Sequence, residues 1–488
     1  MGFIRYDVKN GVEYAAVYRA KRIDGKKTND IEWLGRVVDK EKGLYQSRKR
    51  GLYQYILSSN TVDYLPSTLE KLILDFGDSY FLNEMLVRSG FFSLNKQFFG
   101  GNTDTLLSLV FYKALQGGAN CYAQTWWEGS YGRLLFPKAS LASQRISEFL
   151  REIGDEQVQR DFFKDYLRFI APQCSGGILI DSTGLPNDMN APLTAISNHN
   201  GVISNESRLI FVLDKKSSMP IYFRYVAGNI VDVTTIQATI AEMRAYGIDI
   251  HNAIIDAGYY SEKNIKALRN SEISFLLRMP SNRKLYIEHI AKHAASLEDA
   301  KYLVKYRDRY VYIKLVETDL FGKIAYFYIG LDIDRKHDEI KNYMDKAFDD
   351  KTISFDDMNA AMQSKGIFIL VSSDKVETRD ILPLYYTRQA IEQVFDIGKN
   401  NADLLPLRVH NIDIFRGHLL ISFIVAVAYV LVNKMLKGSD VCAIGAYRVF
   451  RNLKCKVYDD RIIVQEANKK MNEIAKHVKL SLPVQLDI

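Results

Sequence analysis

Tyr385, Arg388, Glu392 and Lys399 stand at offsets of 0, 3, 7 and 14, which at 3.6 residues per turn fall within about 60° of one helical face. A carboxylate between two cations and a phenol suits a surface that handles a metal ion and a phosphate together. The same spacing also serves a solvated helix face with Arg388 and Glu392 as an i,i+4 ion pair, and the four residues alone leave both readings open. Two upstream segments supply further acids. Gly177-Ile-Leu-Ile-Asp181-Ser-Thr-Gly184 is a short apolar run that ends in an aspartate and is stopped by turn residues. That pattern predicts a buried strand with a carboxylate at its C-terminal edge. Asn252-Ala-Ile-Ile-Asp256-Ala-Gly258-Tyr259 repeats it, with Ser261 as N-cap of a helix through about Leu268. Ligands sit at strand C-termini in α/β sheets, and neighbouring strands lie about 4.8 Å apart. Two such aspartates can share a metal or flank two ions about 3.5–4 Å apart. A single aspartate after a strand is more commonly a turn or cap residue. The pair, followed by a carboxylate-bearing helix, is what argues for metal chemistry.

The elements that must position these side chains are legible in outline. At 488 residues the chain exceeds one ordinary core, which predicts two or three domains. Hydrophobic residues at 47% and charged residues at 25% are ordinary for a globular protein. The formal charge of +7 is unevenly spread: residues 1–60 hold 13 Lys and Arg against 7 Asp and Glu, leaving +6 there and +1 elsewhere. A basic N-terminal region on a near-neutral body fits contact with a phosphate backbone, or a solvated surface. Residues 1–60 read as β-rich, with Val12 to Arg22 and Lys27 to Val37 flanking the turn signal Asp24-Gly25, and Arg48-Lys49-Arg50 following. From about Leu65 to Ile170 the periodicity is helical, with Leu69, Leu72, Ile73 and Phe76 as one stripe. Residues 61–172 are the candidate DNA-binding region, although Trp126-Trp127 reads better as core. Leu209 to Leu213 and Pro220 to Val226 form a strand pair about the turn Lys215-Lys216-Ser-Ser, residues 232–245 a helix capped by Asp232, and Ile273 to Met279 a strand. Gly366 to Ser372 returns as a strand directly before the glutamate helix.

At this point the chain resembles the DDE transposases of the insertion-sequence-four type. Tyr385-x2-Arg388-x3-Glu392-x6-Lys399 matches that family's signature without a gap, and Asp181 and Asp256 occupy the places of its two aspartates. Gly228-Asn229-x2-Asp232-x2-Thr235, Leu405-Pro-Leu-Arg408-Val-His410 and the apolar helix from Gly417 are similar as well, so the likeness spans roughly Gly177 to Lys437. It implies an α/β, RNase H-like catalytic domain over 173–280 and 366–437. In a minimal fold of that kind 136 residues between Asp256 and Glu392 are too many for a plain connection. The alternation in Tyr310-Val-Tyr-Ile-Lys-Leu-Val and Lys323-Ile-Ala-Tyr-Phe-Tyr-Ile places a β-rich insertion at about 281–365, where such transposases carry one. Some relatives hold an unstacked base with a tryptophan there. This chain has no tryptophan after Trp127, leaving Tyr306, Tyr310, Tyr312 or Tyr326 to stack or to pack the sheet. Residues 438–488 are expected to be a C-terminal helical region.

The resemblance implies Asp181, Asp256 and Glu392 as catalytic and metal-binding, with Tyr385, Arg388 and Lys399 on DNA phosphates. Two Mg2+ ions, with Mn2+ as a substitute, suit oxygen-only ligands. The implied activity is cut-and-paste transposition of an insertion sequence: end nicking, then 3′-hydroxyl strand transfer. The implied partner is double-stranded DNA, as terminal inverted repeats and target, with a homodimer in the synapse. A DNA-binding descendant that no longer cuts and an RNase H-like nuclease without strand transfer are the alternatives. Asp188 and Asp232 lack the strand-end context. His289 and His293 are i,i+4 without further ligands nearby and read as packing. Cys121, Cys174, Cys442 and Cys455 show no C-x2-C spacing, which with no signal peptide predicts a reducing cytoplasm, nucleoid-associated. The apolar run Leu419 to Val432 falls short of the roughly 20 residues that span a bilayer and is expected to be a buried core helix, with no membrane partner.

Overall fold

A computed structural model describes residues 2–9, 11–23, 26–47, 50–64, 71–186, 194–199, 202–228, 236–347, 354–398, 409 and 411–487. It divides into two compact units, Met1–Glu84, Thr125–Leu135 and Met435–Ile488 forming the first, Met85–Gln124 and Phe136–Lys434 the second.

The first unit opens with an antiparallel six-stranded sheet in chain order: β1 (Gly2–Lys9), β2 (Val12–Ile23), β3 (Lys26–Asp39), β4 (Leu44–Ser47), β5 (Gly51–Ile56) and β6 (Thr61–Tyr64). Ile23 pairs with Lys26, so the β2–β3 hairpin falls where the turn signal places it. Alternation sends Ala15, Val17, Leu34, Tyr45, Tyr53 and Tyr55 to one buried face. The expected helical stripe through Leu72 and Ile73 is overturned: Leu72–Asp75 is a strand, β7. Its four residues pair with Lys454 to Val457, and that distant partner outweighs a local pattern equally readable as helix.

The second unit is built on one large sheet whose strands are β8 (Gly177–Pro186), β9 (Ala195–His199), β10 (Val202–Asp214), β11 (Pro220–Ala227), β12 (Asn252–Ile255), β13 (Ser274–Arg278), β14 (Leu303–Tyr306), β15 (Arg309–Leu320), β16 (Lys323–Asp332) and β17 (Ile367–Ser372). Their order is β11-β10-β8-β12-β13-β17-β16-β15-β14, with β9 pairing β10. β8, β10 and β11 are antiparallel neighbours, whereas β12 runs parallel to β8 and β13 parallel to β12. The class is therefore mixed α/β. The central strands are buried apolar runs, Ile178 to Ile180, Ala253 to Ile255 and Phe275 to Leu277, as strands covered on both faces must be. The strands of 281–365 form no sheet of their own. β16 pairs β17 along six residues, so they extend the central sheet, and helices Lys284–His293, Ile333–Ala347 and Phe355–Gln363 accompany them.

Helix Ile412–Met435 has the length and mean hydropathy, 2.0, of a membrane span. Its Leu419 to Ala428 stretch is nonetheless buried. Phe423 meets Phe163, Tyr166 and Phe223 with ring centroids 5.2, 5.3 and 5.5 Å apart, contacts worth about 0.5–1.5 kcal/mol each beyond area burial. Gly417 lets this helix press against the end of helix Ser143–Ile153, since a Cβ there would stand 2.1 Å from the Leu150 carbonyl oxygen. In the first unit β18 (Lys454–Val457), β19 (Arg461–Val464) and β20 (Gln485–Asp487) join β7 in the order β20-β19-β18-β7. Residues 438–488 are thus mixed rather than helical, with helices Ala443–Phe450 and Lys469–His477 between strands.

Candidate active site

Two parallel strands set the site. The register pairs Ile180 of β8 with Ile255 of β12, so Asp181 and Asp256, the next residue after each, stand level on neighbouring strands about 4.8 Å apart. β8 does not stop at Asp181 as expected. It runs on to Pro186 because β10 pairs with it throughout, Phe211 opposite Asp181 and Glu206 opposite Pro186. β12 does stop, at Ile255, and its end places both carboxylates where the sheet loses a central strand. Ser261 caps the following helix, its hydroxyl accepting from the Asn264 amide.

Between the two carboxylates lies Arg388. Its Nη1 donates to Asp256 Oδ1 at 2.7 Å and to Tyr385 Oη at 3.0 Å, and its Nη2 donates to Asp181 Oδ2 at 2.9 Å. The other oxygen of Asp181 accepts from the Ser182 amide at 2.8 Å. The Asp181 and Arg388 side chains keep 11% and 15% exposure and Asp256 keeps 38%, so the first pair is close to dry and Asp256 is the open end. Burial pushes the Asp181 carboxyl above its ordinary range; Arg388 opposes this and the Asp256 charge adds to it. Burial alone would lower Arg388, but Asp181, Tyr385 and Asp256 outweigh it and hold the guanidinium protonated. Burial also raises the Tyr385 phenol. The Arg388 Nε is buried with no hydrogen-bond partner.

The helix expected through Tyr385 and Glu392 is present as two segments whose junction, Thr387 and Arg388, keeps right-handed helical backbone. Helix Thr378–Tyr386 ends, and helix Gln389–Asp396 begins after Thr387 and Arg388. The junction is tightened by i→i+3 bonds, the Arg388 amide donating to Tyr385 O and the Ile391 amide to Arg388 O. Arg388 faces the aspartates instead of pairing with Glu392. The second helix rests on the sheet through Ile391, Val394 and Phe395, whose ring lies 5.6 Å from that of Phe211, opposite Asp181. Glu392, beside that apolar stripe, is exposed. Among the described residues no group of three or more His, Cys, Asp and Glu is arranged to hold a metal ion. The structure thus gathers Asp181, Asp256, Arg388 and Tyr385 and leaves Glu392 apart. Lys399, Asp188, Asp232 and the stretch Leu405 to Arg408 lie outside the described residues.

The aspartate pair fits a hard divalent cation in kind: oxygen donors only, on adjacent strand ends, already sharing one cationic partner. One neighbour escaped the sequence reading. Arg278 ends β13, and its charge bears on Tyr385. Its signal was the pattern of the two aspartates, a polar residue closing the apolar run Phe275-Leu276-Leu277. Of the candidate stacking tyrosines, Tyr306 is buried and lies parallel to Tyr386 at 5.2 Å, while Tyr310 is half exposed. Arg307, at the tip of the β14–β15 hairpin, donates to Gln389 of the glutamate helix at 2.9 Å. His289 and His293 are buried and stacked under β16, His289 against Phe327.

Residues 172–428 match the family model described as the transposase DDE domain. A solved structure, the piggyBac transposase synaptic complex with hairpin DNA, is similar at 11% identity with a TM-score of 0.39, covering 77% of this chain and 70% of that one. No curated protein matches this chain.

Proposed function

Since this chain belongs to the family of transposases with a DDE domain, we propose that it is of the insertion-sequence-four type and moves its element by cut-and-paste transposition. The strand arrangement β11-β10-β8-β12-β13, antiparallel then parallel, supports an RNase H-like catalytic domain. The observation that carries the proposal is Asp181 and Asp256 level on adjacent parallel strands and sharing one cationic group. Asp181, Asp256 and Glu392 would hold two Mg2+ ions, or Mn2+, which when bound lower the pKa of an attacking water or 3′-hydroxyl and neutralise the leaving oxygen. The chain's own residues do the positioning. Arg388 offers a planar fork that matches a DNA phosphate as well as it matches carboxylates, and Tyr385, hydrogen-bonded to it, fixes its direction. Lys399 adds a point charge on the same DNA. Burial of Asp181 keeps that carboxylate short of water, which strengthens its hold on any cation. The partner is double-stranded DNA, as terminal inverted repeats and target, and cutting two ends together calls for a homodimer.

The test is cutting of DNA bearing the element's ends by purified protein with Mg2+. Asp181→Ala, Asp256→Ala and Glu392→Ala should each abolish cutting while end binding persists; retained cutting by any of the three would remove that residue from the site. One observation favours a second reading, a DNA-binding descendant that no longer cuts: Glu392 is exposed, outside the aspartate group. Cutting by the unaltered chain excludes it.

A further inference from the structure

The six-stranded N-terminal sheet buries one face only. On the other, the register aligns Phe3 with Tyr18 and Tyr18 with Ile31, and in the next row Arg5 with Ala16 and Ala16 with Trp33. Phe3 and Trp33 are each 57% exposed and Ile31 44%. The Phe3 and Tyr18 rings are nearly parallel, 16° apart with centroids at 5.6 Å. Cations hold to these rings from the same side, Arg5 at 5.9 Å from Tyr18 and Lys9 at 5.8 Å from Trp33. Ala16, between Arg5 and Trp33 in the register, is itself only 2% exposed. Successive rows are two residues apart, about 7 Å along the strand.

This face is also basic. Arg5, Lys9, Arg22 and Arg36 are exposed and share its register, and Asp7 is neutralised by Arg5 at 3.3 Å. Of a net +7, +6 lies in residues 1–60. The partner must therefore be polyanionic and must offer flat apolar groups to rigid rings. A DNA duplex hides its base faces in its own stack, and a protein partner of that charge would not require parallel rings flanked by cations. An unpaired strand meets both demands, bases on the rings and phosphates on the cations.

We infer that this outer face of the N-terminal sheet binds unpaired single-stranded DNA, with Phe3, Tyr18 and Trp33 as the stacking surface and Arg5 and Lys9 on the backbone. The inference is independent of the metal-binding acids, so Asp181→Asn should leave this binding unchanged.

The test uses the full chain without added metal and a fluorescein-labelled oligothymidylate, followed by anisotropy and by quenching of tryptophan fluorescence. Trp33→Leu keeps apolar bulk but removes the ring, and should weaken binding about tenfold. Arg5→Gln with Lys9→Gln should flatten the salt dependence by about 0.7 for each backbone phosphate no longer neutralised. Val484→Ala, at a site 78% exposed elsewhere in the same unit, should change nothing. Unaltered melting of the Trp33→Leu protein establishes that the weaker binding is not unfolding. Duplex binding that falls as far as oligothymidylate binding in Trp33→Leu, tighter binding of oligouridylate, or wild-type oligothymidylate affinity in Trp33→Leu would overturn the inference. So would a shift of Trp33→Leu from dimer to monomer with DNA affinity intact, which would make the face an interface between copies.

Discussion

Arg388→Gln tests the central claim about the site, because one interaction governs both its stability and its readiness for a cation. The guanidinium bridges Asp181 and Asp256 at 2.9 and 2.7 Å with 15% of its side chain exposed. Breaking a buried pair by removing one partner costs about 3–5 kcal/mol, and the 38% exposure of Asp256 puts this case at the lower end, ~3 kcal/mol. At roughly 2 °C per kcal/mol for a large unit, melting should fall by about 6 °C in the absence of added metal. In the parent protein a divalent ion must overcome the same free energy to take the carboxylates from Arg388. The variant has no such competitor, so its Mn2+ affinity without DNA should rise by about 100-fold, at 1.4 kcal/mol per decade.

Calorimetric titration with Mn2+ and thermal melting with and without it read the two effects separately. Saturating Mn2+ should restore the variant further than it raises the parent, since binding to the folded state alone adds stability by mass action. Arg388→Lys keeps the charge but loses the fork, and should fall between the two. A variant that melts with the parent, or that binds Mn2+ more weakly, would show that the bridge is not what the carboxylates are held by. If neither protein binds Mn2+ at all, it is the metal-site reading that fails.

Gly417→Ala would press a Cβ to 2.1 Å from the Leu150 carbonyl oxygen; because the obstacle is backbone, it should cost about 1–3 kcal/mol in denaturant unfolding, whereas an alanine in place of Gly398, which meets nothing within 4 Å, carries no such penalty. Burial, helped by Lys113, pushes His418 down to about 4. The unfolded imidazole, near 6.5, binds more protons between those values, so stability should be full above pH 6.5 and fall by up to about 3 kcal/mol on the way to pH 4. His418→Gln should flatten that limb of the unfolding profile, and an unchanged limb would place the responsible protonation elsewhere; His289 and His293, also lowered by burial, act in the same direction.

What was legible in the sequence was what is local. Ile178 to Asp181 and Ala253 to Asp256 read as strands because an apolar run bounded by turn residues is too short for a stable helix, and the Lys215-Lys216-Ser-Ser turn is followed by the antiparallel partner it predicts. Ser261 caps its helix through an equally local bond, its hydroxyl oxygen accepting from the amide three residues on. What failed depended on partners far along the chain. β7 is a strand only because Lys454 to Val457 lie beside it. β14 to β16 were legible as strands, but their joining of the central sheet rests on the pairing of β16 with β17, which no local pattern carries. The tightened turn at Thr387 follows Pro383, which lies inside the preceding helix without an amide hydrogen to donate, but that signal does not say where Arg388 turns. Two charged hydrogen bonds, from Arg388 to residues 132 and 207 positions away, set its direction.

The direction Arg388 takes decides how the four-residue signature should be understood. Spacing on a helix face treats Arg388 and Glu392 as equivalents, one turn apart, yet the fold sends the cation inward and leaves the acid in solvent. Electrostatics accounts for the difference. Two aspartates and one guanidinium already sum to −1, and with Asp181 nearly dry a third carboxylate would add repulsion that grows as the local dielectric falls. Glu392 can join the pair only together with added positive charge, more than Arg388 supplies. The helix that bears it is already seated on β8 and β10 by Ile391, Val394 and Phe395, so the remaining travel is that of a side chain and the helical turn around it. On the proposed function the acids of this chain are of two kinds, a pair fixed by sheet register and a third, Glu392, recruited by charge, and only the first kind can be read from strand patterns.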